Sequence, residues 1–221
     1  SKAEARDRAI EVLTQVGIPE PARQLKRYAY EFSGGMRQRA VIAMAIICRP
    51  RLLIADEPTT ALDVTTQAQI LDLIRQLKDE TGMAVMLITH DMGVVSNMAE
   101  RIAVFYAGQV VEEGPAAAVF GRPSHPYTIA LLRSRPRLDL NRSQSLLSIP
   151  GTPPDLFAPP AGCGFAARCG LSMEICRRQQ PPHFPIQDGH KAACWLHHET
   201  ARARYGEASR ERLEQEVCHG R

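Results

Sequence analysis

Residues 51–63 read RLLIADEPTTALD. Leu52, Leu53, Ile54 and Ala55 form an apolar run without alternation, which suits a strand buried on both faces of a parallel sheet covered by helices. The run ends on adjacent carboxylates, Asp56 and Glu57. Two ionised carboxylates there are costly unless something cationic sits beside them. A magnesium ion bridged to nucleotide phosphates would supply that charge, because magnesium favours a few carboxylates plus phosphate oxygens. The stretch predicts the magnesium and catalytic strand of a nucleotide hydrolase. By itself it also fits a buried strand ending in a solvated acidic loop.

The flanking pattern alternates helices and strands. Ala5, Ala9, Val12, Leu13 and Val16 recur at helical spacing, and Gly17 and Pro19 stop that helix. Residues 21–31 read as a loop or short turn. A longer helical pattern follows from Ser33 to about Cys48, and Cys48 is expected in the core. Ile70, Leu73, Ile74 and Leu77 stripe a third helix over 65–80, with Gly82 as its stop. MAVMLIT at 83–89 is a second buried-strand run ending in His90, residues 91–100 read as a helix, and IAVFYAG with VVEEG reads as a hairpin. The predicted class is α/β, a sheet with helices on its faces.

The 221 residues, 44% hydrophobic, can bury a sizeable core in one or two domains. A net charge of +3 is too small to argue for nucleic acid or a polybasic membrane patch. No apolar run approaches the roughly 20 residues needed to cross a bilayer. The start, SKAEARDRAIEVL, reads as a charged amphipathic helix rather than a signal peptide, which predicts a cytosolic chain. A first residue of Ser, already within a helix, suggests a fragment.

FSGGMRQR at 32–39 carries the second chemical signal. Ser33 is a good N-cap, and Gly34 and Gly35 allow close backbone approach to a ligand. The helix behind them presents its positive end and free amides, a ready anion site. Alone, the same residues fit an ordinary capped helix with glycines for packing.

Taken in order, SGGMRQR, LLIADEPTTALD and the strand ending in His90 resemble the signature motif, Walker B strand with D-loop, and switch histidine of ABC-transporter ATPases. The resemblance covers about residues 1–115. It implies the C-terminal part of a P-loop ABC ATPase domain: a helical subdomain with the signature over 1–50 and the sheet core over 51–115. It further implies that Asp56 holds magnesium through its water shell, that Glu57 is the general base, and that His90 hydrogen-bonds the γ-phosphate and links it to Glu57. Asp63 would belong to the D-loop coupling two active sites. Ser33, Gly34 and Gly35, with Gln38, would meet the nucleotide held mainly by a second subunit. A GxxxxGK[ST] phosphate loop occurs nowhere in the sequence. That departure suggests truncation, with weak ATP binding and no turnover by the chain alone.

After Gly114 the composition shifts. A helix and linker over 116–150 lead to a proline-rich stretch and a small irregular cysteine-containing domain over 151–198, then a polar tail over 199–221 in which Cys218 reads as a free thiol. Cys163, Cys169, Cys176 and Cys194 lie where little apolar residue content is available, so a staple is expected. Disulfides suit the cytosol poorly, the spacing lacks the CxxC pairs of most zinc ribbons, and all-cysteine ligation also suits a [4Fe–4S] cluster. Residues 162–194, with HPYT at 125–128 and PGTPPDL at 150–156, resemble the C-terminal extension of oligopeptide and dipeptide transporter ATPases. Some members carry such a cluster; zinc and free or oxidised thiols stay open.

Together the resemblances imply an ATP- and magnesium-dependent subunit powering import of di- or oligopeptides, or a related solute such as nickel. It would sit at the cytoplasmic face of the membrane. Partners would be a second ATPase subunit, identical or related, two membrane-spanning permease subunits and, indirectly, an extracytoplasmic solute-binding protein. Two other classes share some features. A DNA-repair or chromosome ATPase would need a long insertion and a basic face, both lacking here. A metal-binding regulator with a vestigial ATPase part would fit the missing loop but not the intact Asp56, Glu57 and His90.

Overall fold

The computed structural model describes residues 1–134 and 149–205. The chain divides into two compact units, residues 1–98 and 99–221. Cys218 and the tail beyond 205 lie outside the described residues, as does 135–148 of the expected linker.

The first unit opens with helix α1 (Lys2–Gln15), started by a capping box between Ser1 and Glu4. The expected loop at 21–31 contains a one-turn helix α2 (Pro21–Gln24) and a 3-10 turn (Ala29–Glu31). Helix α3 (Gly34–Ile46) is capped by Ser33, whose Oγ accepts the Met36 amide at 3.3 Å. Strand β1 (Leu52–Asp56) lies parallel to β2 (Ala84–Ile88), with Leu53 opposite Val85 and Asp56 opposite Ile88. Between them runs helix α4 (Val64–Thr81), ended by Gly82 at φ +67°. Helix α5 (Met92–Met98) follows β2.

The core of this unit gathers Val12, Val16, Ile42, Ile46, Leu53, Ile70, Ile74 and Leu77. The predicted stripe of α4 is its largest contributor, each such side chain stabilising by about 1.5–3 kcal/mol as it leaves water. Two expectations are corrected. The β1 run is not buried on both faces: Leu53 is buried, but Leu52 and Ile54 are 47% and 59% exposed, beside Met86 and Ile88 at 51% and 46%. Side chains alternate across a strand, and among the described residues helices cover one face of this two-stranded sheet. Cys48 is exposed rather than core, because α3 ends at Ile46 and the chain turns outward.

In the second unit β3 (Arg101–Tyr106) and β4 (Gln109–Pro115) form the expected hairpin, its turn residues Ala107 and Gly108 both at positive φ. Helices α6 (Ala116–Gly121), α7 (Pro126–Arg133) and α8 (Glu174–Arg178) follow. Strands β5 (Phe184–Gln187) and β6 (His190–Ala192) and helix α9 (Glu199–Tyr205) complete it. The antiparallel sheet runs β3-β4-β6-β5. The cysteine region therefore shares a sheet with the hairpin rather than standing as a separate small domain. Pairing with β6 satisfies the polar edge that β4 would otherwise leave open. Val104, Tyr106, Val111, Val119 and Phe165 form the core, with Phe165 edge-on to Tyr106 at 5.3 Å between centroids.

Candidate functional site

Asp56 is the last residue of β1 and is exposed. Glu57 follows in the left-handed region at φ +46°, and Ala61 in the same loop sits at φ +63°. Such non-glycine residues persist only where their surroundings enforce them, and they cluster at functional sites. The Glu57 amide still donates to Ile88 O at 2.9 Å, so the sheet holds the turn.

That turn brings Glu57 to His90. Glu57 Oε1 and His90 Nδ1 are 2.7 Å apart, and Thr60 Oγ1 donates to Glu57 Oε2 at 3.0 Å. The His90 contact holds the Glu57 carboxyl below its ordinary range, with Thr60 adding to the effect. Reciprocally, the hydrogen bond and charge of Glu57 raise the His90 pKa. His90 is 85% exposed, so solvent screens this pair. Because the ionised carboxylate only accepts, Nδ1 carries the proton, and a neutral His90 would offer a bare acceptor at Nε2. Donation to a phosphate as well requires the doubly protonated ring, which Glu57 favours.

Asp63 caps α4: Oδ1 accepts Thr66 N at 2.9 Å and Oδ2 accepts Thr66 Oγ1 at 2.7 Å. Those bonds, the Thr66 amide first, lower its pKa. Gly35 has a packing reason beside any ligand reason, since a Cβ there would lie 2.7 Å from Thr66 Cγ2. The start of α3 thus rests on the start of α4. Gly34 and Gly35 occupy the first turn of α3, where amides have no helical acceptor, and Gln38 lies half-buried one turn on. Sequence reading missed Thr60 and also Gln67, whose Nε2 donates to Asp91 Oδ2 at 3.2 Å. An Asp directly after the histidine and before a helix was the available signal.

In the second unit all four expected cysteines line one small, largely apolar cavity, with Phe165, Leu171, Pro126 and His125 among its walls. Backbone contacts draw the segments together: Cys163 N donates to Cys176 O at 2.7 Å, and a Cβ on Gly162 would fall 2.2 Å from that oxygen. Burial pushes the Cys169 thiol up to about 12 and raises Cys163 and Cys194 as well. Four thiols around one cavity are the right donors for a soft metal or iron–sulfur cluster. Among the described residues, however, no three His, Cys, Asp or Glu side chains converge as a metal site. The expected cluster is thus unsupported by ligand geometry.

A polar network missed by sequence reading lies in the same unit. Glu112 on β4 is fully buried. Its Oε1 accepts Ser124 N at 2.7 Å and His190 Nε2 at 2.8 Å, and its Oε2 accepts His125 N at 2.9 Å. This carboxylate stands at the start of α7, where negative charge is favoured.

Known proteins match on both sides of this description. The family "ABC transporter" matches residues 2–60, and "Oligopeptide/dipeptide transporter, C-terminal region" matches 111–176. The dipeptide transport ATP-binding protein DppD of Bacillus subtilis is 55% identical over 201 residues, 91% of this chain and 60% of that protein. Residues 2–60 thus belong with the ABC transporter ATPases, and residues 111–176 with the C-terminal region of oligopeptide/dipeptide transporters. The oligopeptide transport ATP-binding proteins OppD of B. subtilis and Salmonella typhimurium are 52% and 51% identical, over 91% and 88% of this chain. The chain spans 56–60% of the length of these members of the family. No helix among the described residues is long and apolar enough to cross a membrane.

Proposed function

We propose that the chain is part of an ATP-hydrolysing subunit that powers import of di- or oligopeptides from the cytoplasmic face of a membrane. The observation that carries this reading is the 2.7 Å contact between Glu57 and His90 at the end of β1. The relatives named for dipeptide and oligopeptide transport support the cargo class, whereas nickel, DNA repair and a purely regulatory role gain no support from them.

Phosphoryl transfer asks for charge neutralisation and alignment more than covalent chemistry. The single exposed carboxylate of Asp56 fits the mode in which magnesium takes one or two protein carboxylates and otherwise phosphate and water. Bound there, the ion would neutralise phosphate charge. Glu57, kept ionised by His90, would orient and deprotonate the attacking water. His90, held by Glu57 at Nδ1, would donate from Nε2 to the γ-phosphate. Ser33, Gly34, Gly35 and Gln38 would meet the phosphates of a nucleotide held by a second ATPase subunit, and Asp63 would fix the loop between the two sites. Two permease subunits would receive the resulting motion, and an extracytoplasmic binding protein would deliver the cargo to them. Cys163, Cys169, Cys176 and Cys194 would hold a [4Fe–4S] cluster or, failing that, zinc, as a cross-link for a thin core.

Glu57→Gln tests the reading in the assembled transporter with its complete ATPase chain. ATP should still bind while hydrolysis falls by about 10²-fold or more, the scale of a general base. Near-normal turnover would remove Glu57 from that role.

A further inference from the structure

We propose that Gln67 is a positioning residue that ties the loop closed by Asp63 to the Glu57–His90 pair. The proposal rests on the ATPase reading above. Gln67 lies in the first turn of α4, its amide donating to Asp63 O at 2.8 Å. Its half-buried side chain donates to Asp91 Oδ2 at 3.2 Å. Asp91 in turn is fixed on both sides. Its amide donates to Thr89 Oγ1 at 3.0 Å, and its Oδ1 accepts the amides of Gly93 at 2.7 Å and Val94 at 3.3 Å. Whatever holds Asp91 holds the backbone of His90, its neighbour in sequence.

These contacts close a ring. Glu57 is bonded to Thr60 within the 57–63 loop, that loop ends on the Asp63 cap, and the first turn of α4 carries Gln67 to Asp91. His90 then returns to Glu57. The His90 side chain is mostly in water, so packing does little to fix its ring, and the backbone at 89–91 sets its aim. A shift of the first turn of α4 would carry the Asp91 carboxylate with it and turn His90 on or off Glu57. Gln67 is thus the link through which the Asp63 loop reads out on the reacting groups.

Gln suits the task because it supplies a neutral donor to a carboxylate at helix-turn reach, and hydrogen bonds to charged groups are among the stronger ones. Met keeps the length and apolar stem but removes the donor; Lys restores a donor of similar reach. In the assembled transporter, Gln67→Met should lower kcat about tenfold, within the range that small misplacements of reacting groups produce. KM for ATP and thermal unfolding should be unchanged. Gln67→Lys should recover most of the rate. Normal kcat in Gln67→Met, or a slow Gln67→Lys, overturns the proposal, the latter by showing that shape rather than donation matters. If Gln67→Met fails to fold, the rate of Gln67→Lys decides alone. Glu57→Gln assayed alongside separates the two levels. A dead Glu57→Gln with a normal Gln67→Met removes only Gln67, whereas an active Glu57→Gln removes Glu57 from the general-base role on which the proposal rests.

Discussion

Replacing Glu112 by Ala should destabilise the second unit more than any single surface change. The carboxylate is fully buried and accepts from Ser124 N, His125 N and His190 Nε2. Its loss strands two backbone amides and an imidazole N–H away from water. Each stranded donor costs about 1–3 kcal/mol. A loss of about 4 kcal/mol lowers the folding constant by roughly 10³ and takes up much of a domain's usual 5–15 kcal/mol. Glu112→Gln keeps one acceptor but turns an amide N–H toward a donor, so about half that loss is expected. The assay is denaturant unfolding followed by Trp195, the only tryptophan in the chain, whose Nε1 donates to Gln179 O within this unit. Glu112→Ala combined with His190→Ala should be less than additive, because the second change removes one stranded donor. A Glu112→Ala midpoint equivalent to less than about 1 kcal/mol of loss would refute the claim that these donors have no other partner.

Two further outcomes follow from the same unit. Burial lowers the His125 pKa from 6.5 to about 3, so between those values the unfolded chain binds a proton that the folded one does not. Stability is then complete above about pH 6.5 and declines by up to about 1.4 kcal/mol per pH unit as pH falls toward 3. His125→Asn should shrink the difference between unfolding midpoints at pH 7 and pH 5, and an unchanged difference would contradict the assignment. A cluster on Cys163, Cys169, Cys176 and Cys194 would make anaerobically purified protein brown, with iron and sulfide in cluster ratio; colourless protein with all six cysteines of the chain reacting as free thiols after unfolding would eliminate it.

Much of the candidate site was legible because it depends on chain order. The apolar run into Asp56 and Glu57, Ser33 before two glycines, and His90 at the end of the next strand each sit where local structure places them. The structure brings Glu57 and His90 together because β1 and β2 are neighbours in parallel register, with Asp56 opposite Ile88. Other roles could not be read. Glu112 and Glu113 are adjacent and chemically equal, yet Glu112 is buried while Glu113 pairs with Lys191 near the surface. Strand alternation says that they face opposite ways but not which way is inward. Cys48 was misplaced for a related reason, since helical spacing gives the apolar face but not the residue at which α3 ends.

The sequence by itself determined the main helices and strands up to the hairpin, their order, and the placement of Glu57 and His90 at successive strand ends, because period, caps and motif spacing are local properties. Tertiary structure decided which faces are covered, that the cysteine region extends the hairpin's sheet, and that Glu112, His125 and His190 share one buried network. It also decided that Gln67 reaches Asp91. Those facts join residues up to 78 positions apart, and side-chain partnership over such separations is set by packing and register rather than by any local pattern.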